Sequence, residues 1–147
     1  EALVGSAIGA KRRDMFDLAV RRSTVLALIT AILLALAIVL AGDIAVMLMT
    51  DISSVRLAAN QFLPFAALYV LFSFAAFQLD GIFIGASFTR QMRDAAALSI
   101  AIYFIAWWAF SDRFGIQGLW GAMIIYVVAR AAALLLFYAS LRRSAGR

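Results

Sequence analysis

The sequence predicts an all-α polytopic membrane protein, on three observations. Of its 147 residues, 66% are hydrophobic and 14% charged, with a mean hydropathy of +1.00; soluble domains run near 45–50% apolar and ~25% charged. Charge-free runs of seventeen residues or more recur along the chain, about the length one helix needs to cross a ~30 Å hydrocarbon core. One Pro, nine Gly and no period-two alternation argue against a β-barrel with its many turns.

Glu1–Ala10 is small and apolar and reads as the last turns of a membrane helix, with Gly5 and Gly9 forming a GxxxG pair that permits close helix approach. Lys11-Arg12-Arg13 follows at once. Asp14–Arg22 mixes apolar and charged residues and suits a short interfacial helix. Ser23–Gly42 carries no charge over twenty residues and makes the first full span. Asp43 and Asp51 bracket Ile44–Thr50, expected to fray into an interfacial turn, and Asp51-Ile52-Ser53-Ser54 offers capping groups to the next helix.

The second full span, residues 57–87, is longer than a bilayer needs and is expected to tilt, with Pro64 as a possible kink. Ser87–Asp94 is a polar connection. The third span, residues 95–111, ends near Trp107 and Trp108, as an interfacial aromatic belt would. Ser111-Asp112-Arg113-Phe114-Gly115 reads as a tight turn, and residues 116–141 form the fourth span, interrupted by Arg130. The prediction is thus four full transmembrane helices after the end of a preceding one, in the C-terminal piece of a longer chain.

Charge sets the orientation. If the 11–22 loop, the 90–93 loop and the C-terminus share one side, that side holds Lys11, Arg12, Arg13, Arg21, Arg22, Arg90, Arg93, Arg142, Arg143 and Arg147. The other side holds Arg56 and Arg113. Basic residues concentrate on cytoplasmic loops, so the C-terminus is expected in the cytoplasm. The same rule accounts for the net charge of +5 without nucleic acid as a partner. With no Cys and no His there are no disulfides, no thiolate metal sites and no near-neutral imidazole base. No nucleotide loop, metal-ligand spacing or Ser/His/Asp set occurs, so neither an enzyme nor a cofactor is expected.

The chemistry centres on Asp80. Residues 57–79 carry no charge and the next charge downstream is Arg90. Ten helical residues put Asp80 roughly 15 Å from the basic end, near mid-bilayer. A carboxylate there costs ~2.5–3.5 kcal/mol on insertion scales, which makes it the default functional residue. Tyr69, Ser73, Ala76, Phe77, Phe83, Ile84 and Ser87 share its helical face. That stripe suits an amphipathic organic cation, which wants a counter-charge and aromatic surfaces, and equally a proton or Na⁺. The bland reading is an Asp buried against a neighbour, with Tyr69, Phe77 and Phe83 as core. Arg130 lies twelve residues before Arg142, roughly 18 Å from the same end, and is the candidate ion-pair partner. Gly5-Ser6-Ala7-Ile8-Gly9-Ala10 and Gly81-Ile82-Phe83-Ile84-Gly85-Ala86 share G-x-x-I-G-A at an offset of 76 residues, which chance or an internal repeat could produce.

At those two stretches, at Asp80, at Thr89-Arg90-Gln91-Met92-Arg93-Asp94 and at Gly118-Leu119-Trp120-Gly121, the chain resembles the multidrug and toxic compound extrusion (MATE) family, most of all its DinF-like branch. The resemblance implies a twelve-helix fold of two six-helix lobes, of which this chain is the end of the eighth helix through the twelfth. It implies export of organic cations and other toxic compounds by alternating access, coupled to H⁺ or Na⁺, in the plasma (inner) membrane. The partners it implies are the lipid bilayer, the N-terminal lobe and a small-molecule substrate. The Na⁺-coupled branch has a carboxylate at the place of Asp80 and often a Tyr one turn earlier; Ala76 stands here, which favours H⁺. In DinF-like members the main protonation site lies on the first helix, so Asp80 would bind substrate or organise the cavity. The alternatives are a lipid-linked-sugar flippase of the same superfamily and a non-transporting membrane scaffold.

Overall fold

The computed structural model describes residues 1–145 and is helical almost throughout. Arg147, counted above with the basic side, lies outside the described residues. Four helices follow in order: α1 (Ala2–Gly9), α2 (Arg13–Met49), α3 (Ser53–Gly85) and α4 (Thr89–Ser144). The last three are long and apolar enough to cross a membrane.

The helices outrun the apolar segments. The amphipathic stretch after Arg13 and the first apolar run are one helix, and the expected frayed turn at residues 44–50 is instead helical as far as Met49. Leaving water obliges the backbone to bond within its own segment, and the only Gly on the way, Gly42, is buried and helical. Arg56 then caps the end of α2. Its Nε donates to the Thr50 carbonyl at 2.6 Å and its Nη2 to the Met47 carbonyl at 3.0 Å, which occupies carbonyls that have no partner within the helix.

Within α4 only Gly115 departs from helical dihedrals, with φ 55° and ψ −128°. A side chain would collide with the backbone there, so the position suits glycine. The tight turn expected over residues 111–115 contracts to this one residue. The chain doubles back around it: Gly118 lies against the Phe110 carbonyl, and the rings of Tyr103 and Tyr126 stand edge-on with centroids 6.2 Å apart. The arms 89–114 and 116–144 therefore run antiparallel.

The two G-x-x-I-G-A stretches close their helices in the same way. In the first, Lys11 N–H donates to the Ile8 carbonyl and Arg12 N–H to the Ala7 carbonyl; in the second, Ser87 N–H donates to Ile84 and Phe88 N–H to Phe83. Lys11 and Ser87 are the two non-glycine residues with positive φ, at 54° and 61°. This is the Schellman ending, in which one left-handed residue lets two N–H groups reach back into the last turn. The contact that accompanies that ending is visible at the second corner, where Phe88 stands edge-on to Phe83. Both corners lie at the basic end, and α1 meets α3 before its own corner: a Cβ on Gly5 would stand 3.0 Å from the Gly85 carbonyl oxygen. The two glycine motifs thus pack against each other.

The core gathers at that basic end, from Val4 and Ala7 of α1, Phe16 of α2, Ala76–Phe83 of α3 and Val127–Leu141 of α4. Along all of α2 only Phe16, Ala31 and Gly42 are buried. An ion pair ties the rim: Arg142 donates to both carboxylate oxygens of Asp17, at 2.8 and 2.6 Å. These hydrogen bonds hold the Asp17 carboxyl below the usual carboxylate range. Because the folded value is the lower one, the tie is complete above the ordinary carboxylate range and fades as pH falls through the lowered value. The pair is half-exposed, so its effect on stability is small. Arg142→Gln should return the Asp17 carboxyl to the ordinary range, as read by carbon NMR titration; an unchanged midpoint would contradict the pairing.

Candidate intramembrane ion-pair site

Asp80 projects from the last third of α3 and Arg130 from the middle of the second arm of α4. Arg130 Nε donates to Asp80 Oδ2 and Nη2 to Oδ1, both at 2.9 Å. Only 17% of the Asp80 side chain and 15% of that of Arg130 are exposed. The guanidinium fork matches the carboxylate, so each oxygen accepts one charge-assisted bond. Two charges taken from water together lose much hydration, and the pair holds only while both partners are present. Among the described residues no buried side-chain nitrogen or oxygen is left without a partner.

The other members of the expected stripe go elsewhere. Tyr69, Ser73 and Phe77 line a cleft of about 490 Å³ between α2 and α3, with Thr30, Phe74 and Gln78. Ser73 is buried and its hydroxyl donates to the Val70 carbonyl at 3.0 Å, within its own helix. Phe77 is 63% exposed. Phe83 is fully buried in the core. Asp80 lines neither this cleft nor its neighbour. The structure thus joins Asp80 to Arg130, groups Tyr69, Ser73 and Phe77 in a cleft that begins within about one turn of Asp80, and sets Phe83 apart from both.

Two features escaped the sequence reading. A second cleft of about 390 Å³ lies between α3 and the arms of α4, lined by Tyr69, Ile100, Tyr103, Phe104, Met123 and Tyr126. Its signal was the placement of Tyr103 and Tyr126 at nearly equal distances either side of Gly115. The other feature is a polar clamp: Gln78 Nε2 donates to the Ser23 hydroxyl at 2.6 Å and to the Thr24 hydroxyl at 3.3 Å, joining α3 to α2. A Gln inside an apolar run must find such a partner, but nothing in the spacing says which hydroxyl supplies it.

A family model described as MatE matches residues 1–106. The chain belongs to the MatE family. The match takes in α1 to α3 and the first part of α4, and so includes Asp80 but ends before Arg130. This MatE chain is also similar to the DNA damage-inducible protein F of Escherichia coli (strain K12), at 25% identity over 135 residues, 88% of this chain and 27% of that protein. It therefore spans about a quarter of the length of the curated relative it matches. No solved structure matches the MatE chain.

Proposed function

We propose that this chain is part of a secondary active exporter of the MatE type, which moves organic cations or other toxic compounds against H⁺ by alternating access. Four crossings follow the short α1, with the two arms of α4 as the last two. They form part of a lobe that faces an N-terminal lobe across the substrate path, in a twelve-helix whole. The basic end faces the cytoplasm and the protein sits in the plasma membrane.

The observation that carries this reading is the Asp80–Arg130 pair, buried between two helices that each span the bilayer. Such a pair is a two-state element. A cationic substrate that takes up the Asp80 carboxylate releases Arg130, and its departure restores the pair, so occupancy biases how α3 sits against α4. Ala76 stands where the Na⁺-coupled branch often has a Tyr, which favours H⁺ as the coupling ion. The clefts beside Tyr69 supply apolar and aromatic surface for a drug-sized ligand.

A second reading is favoured by the completeness of the pair: Asp80 and Arg130 hold the helices together and do nothing else. Reconstituted full-length protein separates the two. Asp80→Asn combined with Arg130→Gln removes both charges and leaves a neutral amide pair. Proton-coupled substrate flux in the double variant is expected to fall at least tenfold while the protein remains folded. Wild-type flux in that variant would refute coupling through Asp80 and leave the structural reading.

A further inference from the structure

At the basic end two adjoining clefts flank Phe88. One, of about 370 Å³, is lined by Phe88, Ser140, Arg143 and Ser144; the other, of about 260 Å³, by Ser87, Phe88, Thr89, Arg90 and Gln91. We propose that they form one binding site for the phosphate headgroup of an anionic phospholipid, with Arg90 and Arg143 as the charged contacts. The site rests on the reading that these helices cross a bilayer, and it is separate from the Asp80–Arg130 pair.

Like Arg90 and Arg143, Lys11, Arg13, Arg21 and Arg22 at this end lack an ion-pair partner among the described residues, and what distinguishes Arg90 and Arg143 is that they line the clefts beside Phe88. Of the acidic residues at this end, Asp14 is engaged by Arg12, Asp17 by Arg142 and Asp94 by Arg93, whereas Glu1, packed on Gly85, has no ion-pair partner among the described residues. Among the described residues neither Arg90 nor Arg143 has a carboxylate partner. Arg143 Nε donates to the Ala139 carbonyl at 3.2 Å, which anchors the root of the guanidinium beside the cleft. Hydroxyls of Ser140 and Thr89 add donors, as phosphate oxygens require, while Ser144 gives its own to the Leu141 carbonyl at 2.6 Å. Phe88 supplies an apolar floor and is fixed edge-on against Phe83.

Position selects a lipid as the source of the phosphate. The clefts lie where the apolar run of the second arm gives way to Arg142 and Arg143, and where α4 begins at Thr89, hence at headgroup depth. Basic side chains at that level are attracted to the negative surface of anionic lipids. A cationic rim over an aromatic floor fits an amphiphile whose glycerol backbone follows its phosphate.

The test is retention of phosphatidylglycerol by the purified full-length protein in detergent, read by native mass spectrometry. Phosphatidylcholine and inorganic phosphate serve as the other probes. Arg90→Gln with Arg143→Gln is expected to weaken phosphatidylglycerol binding tenfold or more. The same loss of charge at Arg21→Gln with Arg22→Gln is expected to leave it within threefold. Ser140→Glu, which sets a carboxylate in the cleft, should weaken binding without removing either arginine and keeps the test open if the first variant fails to fold. An equal loss in the two double variants would show a diffuse charge effect and overturn the site. So would phosphatidylcholine bound as tightly as phosphatidylglycerol, or inorganic phosphate bound as tightly as either lipid. Substrate flux is a separate readout, so failure here leaves the transport reading standing.

Discussion

Arg130→Gln in the full-length protein is expected to lower stability by about 3 kcal/mol, and Asp80→Asn by a similar amount, whereas the two together should cost less than either alone. The reason is the geometry of the pair, with two bonds of 2.9 Å and both side chains more than four-fifths buried. Removing one partner strands the other as an uncompensated charge, at a typical cost of ~3–5 kcal/mol. The lower figure applies because each side chain keeps some exposure. Removing both leaves two neutral polar groups within hydrogen-bonding reach. Thermal unfolding of the single and double variants in detergent gives the coupling energy directly. If the losses simply add, the two residues do not hold each other and the pair plays no energetic part. Charge reversal is a harsher version: Asp80→Arg with Arg130→Asp should recover part of what each single change destroys.

Gly118→Ala is expected to cause the second large loss, of about 2–3 kcal/mol, by prying apart the two arms of α4. A Cβ at Gly118 would stand 2.5 Å from the Phe110 carbonyl oxygen and 2.8 Å from its carbon. Those are backbone atoms, so no side-chain rotation relieves the clash, and overpacking of this kind typically costs ~1–3 kcal/mol. Gly121 is the control on the same arm. A Cβ there meets nothing within 4 Å, and Gly121→Ala should be neutral or slightly stabilising, since Ala is the better helix former by up to ~1 kcal/mol. Unfolding temperatures of the two variants decide the matter. A neutral Gly118→Ala would mean the arms are not packed at this point.

Composition and charge-free runs made the helical membrane class legible, because a bilayer imposes a length and a polarity that few other environments share. Helix ends were less legible. Apolar runs mark where lipid lies, whereas α2 continues past Asp43 as far as Met49 because the backbone keeps its own bonds beyond the lipid. Distance from the basic end put Asp80 and Arg130 at one level, and they meet at 2.9 Å. The face shared by Asp80, Tyr69, Ser73 and Phe77 did not translate into one cavity, because Asp80 is taken up by Arg130 of α4 while the other three line a cleft that α3 forms with α2. The Gln78 clamp lay beyond reach because its partners are 54 and 55 residues away in sequence. The repeated glycine pattern was visible as letters. Its shared hydrogen bonding is a property of the folded backbone.

The reversal at Gly115 bears on how the chain enters the bilayer. Between the two apolar arms the charged residues are Asp112 and Arg113, of opposite sign and side by side. Little polar chain has to be carried across when the arms go in as a hairpin, and the packed glycine contact at residue 118 forms without waiting for distant segments. In the four-crossing arrangement proposed above, the two arms can therefore integrate as a preassembled pair that docks onto α3, with no need for each arm to be stable in lipid alone.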